Sequence, residues 1–261
     1  LIFATSNGRI KKSRLSEYSR INRNGKYALR FADGEGDTLV TVRPATDSDH
    51  VVLVSALGNA CRFMPAEERT RVSPETGETM STFVVRVQGR VSQGVSGMKL
   101  SKGDSVIGMI VTDDFDTSVL TISKYGMAKR SRLGSGEMVP LKDELGEDGD
   151  PVFERDGYRR TNRGTKGVRT MSLREGDQIV SVRQIPDIGD QLFMLTGSGM
   201  MIRMAAAQTK ETLGKVTKGT RIMELRNSER TGYVDEIVFV ARLPSELVGP
   251  VESSDYSSEE E

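Results

Sequence analysis

The stretch Leu1–Leu15, LIFATSNGRIKKSRL, combines an apolar run, a turn centred on Gly8 and a second segment that is half basic. The chain repeats this unit three more times, as VVLVSALGNACRFM (Val51–Met64), SVLTISKYGMAKRSRL (Ser118–Leu133) and QLFMLTGSGMMIRM (Gln191–Met204). Repetition of one supersecondary unit along a chain is typical of propellers and solenoids. We therefore expect an array of similar units.

Two positions keep their chemical character when the four units are aligned on their turn glycines, Gly8, Gly58, Gly126 and Gly199. The residue two positions after the glycine is always apolar: Ile10, Ala60, Ala128 or Met201. The residue four positions after it is always basic: Lys12, Arg62, Arg130 or Arg203. Because side chains alternate between the faces of a strand, these two positions share one face. We expect either a bulge between them or a strand end that carries the cation past the core.

The second half of each repeat begins with a glycine, followed by two apolar residues that lie two positions apart. It reads Gly25-x3-Leu29-x-Phe31, Gly94-x3-Met98-x-Leu100, Gly167-x3-Met171-x-Leu173 and Gly219-x3-Met223-x-Leu225. A Gly-Asp turn follows in three copies, and a further β-rich stretch such as TLVTVRPA (Thr38–Ala45) completes the repeat. Helical periodicity is nearly absent. About four short strands per repeat predict an all-β, propeller-like array with repeats at 1–50, 51–117, 118–190 and 191–242.

The formal charge of the 261 residues is zero, but it is unevenly distributed. Residues 243–261 hold six acidic side chains and no Lys or Arg, which leaves 37 basic against 31 acidic residues, or +6, in residues 1–242. This Ser- and Glu-rich segment has little to bury and is predicted to be a disordered acidic tail. Residues 142–156 carry seven acids against two bases and are predicted to form a solvated loop.

The predicted functional surface is a belt of positive charge. The two glycines of a repeat are separated by 17, 36, 41 and 20 residues, so the insertions should lie on one exposed edge, and a basic loop precedes each second glycine. Arg and Lys pair with phosphate, and small polar groups bond its oxygens, so the belt suits a DNA backbone. A single basic residue at a strand end is more often a solvent-exposed residue that blocks pairing with another strand edge. Because the basic residue recurs in all four repeats, we favour phosphate binding. The predicted DNA-binding residues are Arg9, Lys11, Lys12, Arg14, Arg20, Arg23, Lys26, Arg62, Arg90, Lys129, Arg130, Arg132, Arg159, Arg160, Arg163, Lys166, Arg203, Lys215 and Lys218.

Other functional classes find little support in the sequence. The one histidine, His50, follows Asp47-Ser48-Asp49 and is expected to be exposed, whereas Cys61 is expected to be buried and unreactive. No nucleophile–base pair, GxxxxGK[ST] loop or Cys/His zinc cluster is present, so no catalytic residue or metal site is predicted. A protein-binding propeller scaffold is an alternative, but such a surface favours aromatic anchors, and the chain has no Trp and 5% aromatic residues. No apolar run is long enough to cross a membrane.

The segments LIFATSNGRIKKSRL, GVSGMKLSKGD, YGMAKRSRL and TKGVRTMSLREGD closely resemble the C-terminal domain of the bacterial DNA gyrase A subunit, and the resemblance covers all but the tail. It implies a β-pinwheel, a propeller-like disc of four-stranded blades that exchange strands between neighbours. It also implies a non-catalytic domain that wraps double-stranded DNA, largely regardless of sequence, within an ATP-dependent type IIA topoisomerase that introduces negative supercoils.

Further expectations follow from the same resemblance. The implied partners are the rest of the gyrase A subunit and the gyrase B subunit, in an A2B2 assembly that is cytoplasmic and associated with the nucleoid. No cofactor is expected in this chain, because ATP and Mg are used elsewhere in the holoenzyme. The acidic tail is expected to tune wrapping.

The chain departs from the family pattern in two ways. Family members usually have six blades, whereas this chain resembles the last four; it opens on Leu1 rather than Met, and we expect it to be a piece of a longer protein. The gyrase box, QRRGGKG, belongs to the first blade and is missing; Arg159–Gly167, RRTNRGTKG, is a degenerate relative in the third repeat. The C-terminal domain of topoisomerase IV, which recognises a DNA segment without wrapping it, is therefore the nearest alternative. The spacing, the well-kept repeats and the acidic tail favour gyrase.

Overall fold

The computed structural model describes residues 1–31, 36–74, 76–145, 148–212, 217–228 and 233–247. These residues form β-strands joined by turns, with 3-10 turns at Leu15–Tyr18, Ala206–Gln208 and Ser245–Leu247. In this part of the chain, no helix is long and apolar enough to span a membrane. The strands are β1 (Ile2–Thr5), β2 (Arg9–Lys12), β3 (Leu39–Arg43), β4 (His50–Ser55), β5 (Asn59–Phe63), β6 (Glu68–Val72), β7 (Thr79–Phe83), β8 (Val95–Ser96), β9 (Val106–Thr112), β10 (Ser118–Ser123), β11 (Met127–Arg132), β12 (Met138–Leu145), β13 (Pro151–Arg155), β14 (Val168–Arg169), β15 (Ile179–Ile185), β16 (Gln191–Thr196), β17 (Met201–Ala205), β18 (Thr220–Arg221), β19 (Asn227–Ser228), β20 (Tyr233–Val234) and β21 (Ile237–Leu243).

Four antiparallel sheets, which we call blades 1 to 4, are built on the four Gly-centred hairpins. Their strand orders are β3-β1-β2-β8, β9-β4-β5-β14, β15-β10-β11-β18 and β21-β16-β17. In each blade the apolar first strand of the hairpin is central, and the half-basic second strand lies towards the outer edge. The all-β prediction is confirmed.

The outer strand of each of the first three blades comes from the following repeat. Strand β8 pairs with β2, β14 pairs with β5 and β18 pairs with β11. The strand exchange that the resemblance implies is therefore confirmed. In blade 4, none of the described strands pairs with the outer edge of β17.

A glycine permits each exchange, because the incoming strand passes very close to the strand that it joins. Gly167 has a φ of +75°, and a Cβ atom added to it would lie 2.0 Å from the carbonyl oxygen of Ala60. Any side chain would push β14 away from blade 2 and strain its own backbone. The second-motif glycine is thus required by the contact between repeats.

Apolar clusters fill the spaces between successive blades, and both faces of the two middle blades are buried. In β4, Val51 and Leu53 pack in the cluster shared with blade 1, whereas Val52 and Val54 pack in the cluster shared with blade 3. All six residues of β4 and all six of β10 are buried. The middle of β4, Val51–Val54, is consequently a continuous apolar run, whereas β10 also buries the polar side chains of Ser118, Thr121 and Ser123.

The inner strands of the four blades, β3, β9, β15 and β21, surround a central cavity of about 720 Å³. Successive inner strands contact one another in the order β3, β9, β15, β21. The outer edges of the blades, which carry the exchanged strands, therefore form the rim of the disc.

The insertions in the second and third repeats form hairpins, β6–β7 and β12–β13. The prediction of a solvated loop at 142–156 is wrong for most of this segment, because Met138–Leu145 pairs with Pro151–Arg155. Residues 146–147 lie outside the described part of the chain.

The predicted disordered tail at 243–261 begins with ordered residues. Leu243 ends β21 and Ser245–Leu247 forms a 3-10 turn. The rest of the predicted tail, residues 248–261, lies outside the described residues.

Candidate nucleic-acid interface

We call the basic residue four positions after each turn glycine the in-register cation. In blade 2 this residue is Arg62, and it is buried, with 1% of its surface exposed. It shares a face of β5 with Ala60, as the period of two requires, and this face packs against blade 3. Neither a bulge nor a strand end carries it past the core. The expectation that Arg62 lies on an exposed rim is wrong because the neighbouring blade covers both positions.

The Arg62 guanidinium joins blade 2 to the third repeat. Its Nη1 donates to the carbonyl oxygens of Leu133 at 3.0 Å, Gly134 at 2.8 Å and Tyr158 at 2.8 Å. Burial and the neighbouring Arg160 lower the pKa of Arg62 to about 10, so it is charged at neutral pH. The charge is neutralised by oriented carbonyl dipoles, in a place that a DNA phosphate cannot reach.

His50 lies beside Arg62 and is also buried, which corrects the expectation that it is exposed. Its Nδ1 accepts a hydrogen bond from Arg62 Nε at 3.2 Å, and its ring meets the edge of Phe115 at 5.0 Å between centroids. Burial, together with the Arg62 charge, lowers the pKa of His50 to about 4. The imidazole is therefore neutral at physiological pH and serves as an acceptor.

The equivalent cations of the other blades follow the same rule. Arg130 is buried against the fourth repeat, where its Nε donates to Thr209 O at 2.9 Å and its Nη1 to Glu211 Oε2 at 2.9 Å. Lys12 is half-buried and pairs with Asp47 at 2.8 Å. Arg203 is exposed, since none of the described residues forms a blade on that side of β17. The cation is thus buried in blades 2 and 3, half-buried in blade 1 and exposed in blade 4.

The residue immediately before each of Lys12, Arg62 and Arg130 is also buried. Lys11 Nζ donates to the carbonyl oxygens of Ala28 and Arg90, and Lys129 Nζ donates to Thr170 O at 2.6 Å. Burial lowers the pKa of Lys129 to about 8. Cys61, in the same register, is fully buried as predicted. The prediction that Lys11 and Lys129 line an exposed rim is wrong.

Two half-buried arginines fasten segments of other repeats. Arg9 donates to the carbonyl oxygens of Gln93 and Gly94, both at 2.9 Å. Arg163 donates to Val84 O at 2.6 Å and to Ser96 O at 2.9 Å. Much of the guanidinium hydrogen-bonding capacity is therefore used within the domain.

The remaining predicted residues divide by exposure. Arg14, Arg20, Arg23, Arg132, Arg159, Arg160, Lys166, Arg203 and Lys218 are exposed, and Lys26 and Arg90 are half-buried. Arg132 pairs with Asp116 at 2.7 Å. Lys215 lies outside the described residues.

The structure brings three exposed cations together on the rim of blade 2. Arg159, Arg160 and Lys166 line a shallow groove of about 360 Å³, which we call the rim groove; Arg69, Thr161, Asn162 and Thr165 also line it. The groove runs between the base of the β6–β7 hairpin and the loop that leads into β14. Glu67 also lines the groove and pairs with Arg69 at 3.2 Å. The guanidinium groups of Arg159 and Arg160, the ammonium group of Lys166 and the side-chain hydroxyl and amide donors can together hold successive phosphates.

Sequence reasoning missed exposed cations on the exchanged strands themselves. Arg169 lies in β14 and Arg221 in β18, both at the outer edge of a blade, and Lys99 follows β8. Arg169 and Arg221 each come two positions after a second-motif glycine, and this spacing is the signal that could have found them. Among the described residues, no group of three or more His, Cys, Asp or Glu side chains could hold a metal ion.

A family model described as DNA gyrase C-terminal domain, beta-propeller, matches residues 1–46, 81–113, 152–186 and 190–231. The DNA gyrase A subunit of Staphylococcus epidermidis is 30% identical over 239 residues, and that of Rickettsia prowazekii is 29% identical over 263. Each alignment covers 91% of this chain, but only 22% and 27% of the relative. The chain thus spans about a quarter of the length of these relatives.

Solved structures show the same fold at low sequence identity. The C-terminal domain of DNA topoisomerase IV has a TM-score of 0.69 at 16% identity, covering 94% of this chain and 62% of that one. A DNA gyrase A C-terminal domain has a TM-score of 0.62 at 18% identity, covering 93% and 65%. Both comparisons support the β-pinwheel assignment.

Proposed function

This chain belongs to the DNA gyrase C-terminal domain family, and from that premise we propose that it is a non-catalytic domain that binds and wraps double-stranded DNA. The observation that carries the proposal is the rim groove, where Arg159, Arg160 and Lys166 remain exposed while the in-register cations are used inside the disc. Contacts of this kind recognise phosphates and carry no sequence information, so binding should be largely independent of sequence.

We further propose the setting in which the domain acts. As part of a gyrase A subunit, it would work with the remaining A-subunit domains and the B subunit in an A2B2 assembly in the bacterial cytoplasm. The ATP-driven strand passage would take place in those other domains. Bending DNA along the rim would present a segment for passage, which is how a binding domain can support negative supercoiling.

The first test is a salt titration of binding to duplexes of unrelated sequence, short and long. Each phosphate contact releases counterions and contributes about 0.9 to the slope of log K against log salt. The double variant Arg160→Ala/Lys166→Ala should lower this slope by about 2 and weaken binding evenly across sequences. Longer duplexes should bind more tightly, because a rim offers contacts beyond one groove.

A matched control removes the same charges from another surface. Lys102 and Arg174 are exposed and lie in the turns at Asp104 and Asp177, which bond to the Gly58 and Gly126 hairpin turns on one face of the disc. Lys102→Ala/Arg174→Ala should leave the salt slope unchanged. Equal losses in the two double variants would mean that net charge, and no particular groove, determines binding.

A topological assay separates wrapping from simple contact. Nicked circular DNA is ligated in the presence of the domain, and the linking number of the product is measured. A gyrase-type domain should shift the linking number in the positive sense as the protein-to-DNA ratio rises. Binding with no shift would support the topoisomerase IV alternative, and a flat salt response with no binding would overturn the DNA-binding proposal.

A further inference from the structure

The central cavity between the inner strands is basic. Of the described residues that line its volume of about 720 Å³, three are arginines, Arg43 of β3, Arg183 of β15 and Arg242 of β21, and none is Asp or Glu. Duplex DNA is too wide for a space of this volume, so the cavity takes no part in the DNA contacts proposed for the rim. Its charge therefore needs an explanation of its own.

Two of these arginines hold the same place in their repeats. Arg43 and Arg183 each pair with the residue six positions before the turn glycine, whereas blades 2 and 4 have Ile110 and Ala241 at this place. The inner strands follow one another in the order β3, β9, β15, β21. The two arginines therefore come from alternate blades, on either side of β9.

The Arg183 guanidinium lies at the wall of the cavity, between blades 3 and 4. Its Nη1 donates to Val182 O at 2.9 Å and its Nη2 donates to Val240 O, and both acceptor residues line the cavity. Burial, and then the charge of the nearby Arg43, lower the pKa of Arg183. The two guanidinium groups are thus close enough to repel each other.

Carboxylates compensate only the third arginine. Arg242 Nη1 lies 2.8 Å from Asp190 Oδ2, and the Asp190 side chain is buried. Among the described residues, neither Arg43 nor Arg183 forms an ion pair. Partial burial of a cation without a counter-charge costs free energy, and a like charge nearby adds to the cost. An anion between the two groups would offset both.

We propose that the central cavity binds a small inorganic anion with two charged ends, of the pyrophosphate class, between Arg43 and Arg183. Guanidinium groups suit phosphoryl oxygens because their planar donors can bond two of them at once. Two such groups on separate strands favour a ligand with a phosphoryl group for each. This site is separate from the rim groove and does not depend on DNA binding.

The test is thermal unfolding of the whole chain with pyrophosphate in metal-free buffer, against sodium chloride of equal ionic strength. An anion of this size should bind with a Kd of about 0.2 mM. Pyrophosphate at about 25-fold that concentration should raise the Tm by about 5 °C, and orthophosphate should raise it by less than about half as much. An equal rise with orthophosphate would overturn the two-ended ligand, and no rise beyond that with chloride would overturn the site.

Two variants and a matched control locate the effect. Arg43→Gln changes an exposed side chain that forms no hydrogen bond or ion pair with the described residues, so this variant should fold and lose most of the pyrophosphate shift. Arg183→Gln should lose it as well. Arg174→Gln removes an exposed arginine that does not line the cavity and should keep the full shift. A shift that survives both cavity variants, or that falls equally in all three, would refute the proposal.

Two further full-length variants separate the cavity from other places where charge meets charge. Loss of the shift in Arg160→Ala/Lys166→Ala, with the shift retained in Arg43→Gln, would place pyrophosphate in the rim groove and overturn the proposal. A variant with the five acids after Val251 changed to Gln or Asn tests the acidic segment as a competing occupant. A larger shift in that variant would assign the cavity to the segment and overturn the small anion, whereas an unchanged shift in both variants supports it.

Discussion

Replacing Arg62 by Ala should destabilise the domain strongly, whereas replacing Arg203, at the same position of the last blade, should not. Arg62 is buried between blade 2 and the third repeat, and Arg203 is exposed. The two arginines hold the same place in the repeat, and each bonds the first residue of the neighbouring central strand, His50 or Gln191; they differ in whether a following blade covers them.

The magnitude follows from the bonds that the guanidinium makes. Loss of Arg62 leaves the carbonyl oxygens of Gly134 and Tyr158 without their guanidinium donor. Each unsatisfied carbonyl should lower the free energy of unfolding by about 1–2 kcal/mol. Leu133 O costs less, because it also accepts from the Tyr158 amide at 2.9 Å. The space left by the side chain adds about 1 kcal/mol more. We expect a total near 4 kcal/mol, against less than about 0.5 kcal/mol for Arg203→Ala.

The assay is thermal and urea unfolding of both variants beside the parent chain. A loss near 4 kcal/mol corresponds to a fall of about 10 °C in Tm for a domain of this size. DNA binding is then measured at a temperature where all three proteins are folded. Arg62→Ala should keep the parent salt slope. A variant of Arg62 that unfolds like the parent but loses slope would refute the assignment of this cation to the fold.

Three further changes test other contacts. As the pH falls from 6.5 to about 4, His50 takes up a proton in the unfolded chain but not in the folded one, so the free energy of unfolding should fall by up to about 3 kcal/mol. His50→Gln should flatten this part of a plot of the urea midpoint against pH. Lys129 gives a slope of the same sign at higher pH, because its folded pKa of about 8 also lies below the unfolded value: stability should rise from pH 8 to 10.5, and Lys129→Met should remove the rise. Gly167→Ala should lower the free energy of unfolding by at least about 2 kcal/mol more than Gly25→Ala, as measured by thermal unfolding. Both glycines have φ near +75°, but nothing lies within 4 Å of a Cβ atom at Gly25. Equal losses would mean that the close approach of Gly167 to Ala60 does not matter.

The sequence predicted those parts of the fold that depend on local pattern. Turn glycines and apolar runs placed the four hairpins, because a tight turn and a buried strand each leave a signature within a few residues. Met98, Met171 and Met223, the first apolar positions of the second motif in three repeats, are buried. Strand exchange came only from the family resemblance, since its partner residues are distant in sequence.

The functional residues were harder to predict because exposure depends on neighbours. The shared face of Ala60 and Arg62 was visible in the period of two, but the sequence does not state which surfaces another blade covers. His50 was misread for the same reason: its turn-like context hid its burial beside Phe115 and Arg62. Basic character alone could not separate a cation that binds carbonyls from one that faces solvent.

The exchanged strands also determine how the disc carries mechanical load. Strand β14 holds blade 2 through only two residue pairs, Val168 with Ala60 and Arg169 with Asn59, yet its backbone continues into the third repeat. A duplex under tension that pulls outward on the rim of one blade would therefore pull along the covalent chain of the next. Force applied at an outer edge that carries an exchanged strand is therefore shared by two blades. Such a blade cannot separate from the disc unless the exchanged strand is also pulled out of place in its own repeat.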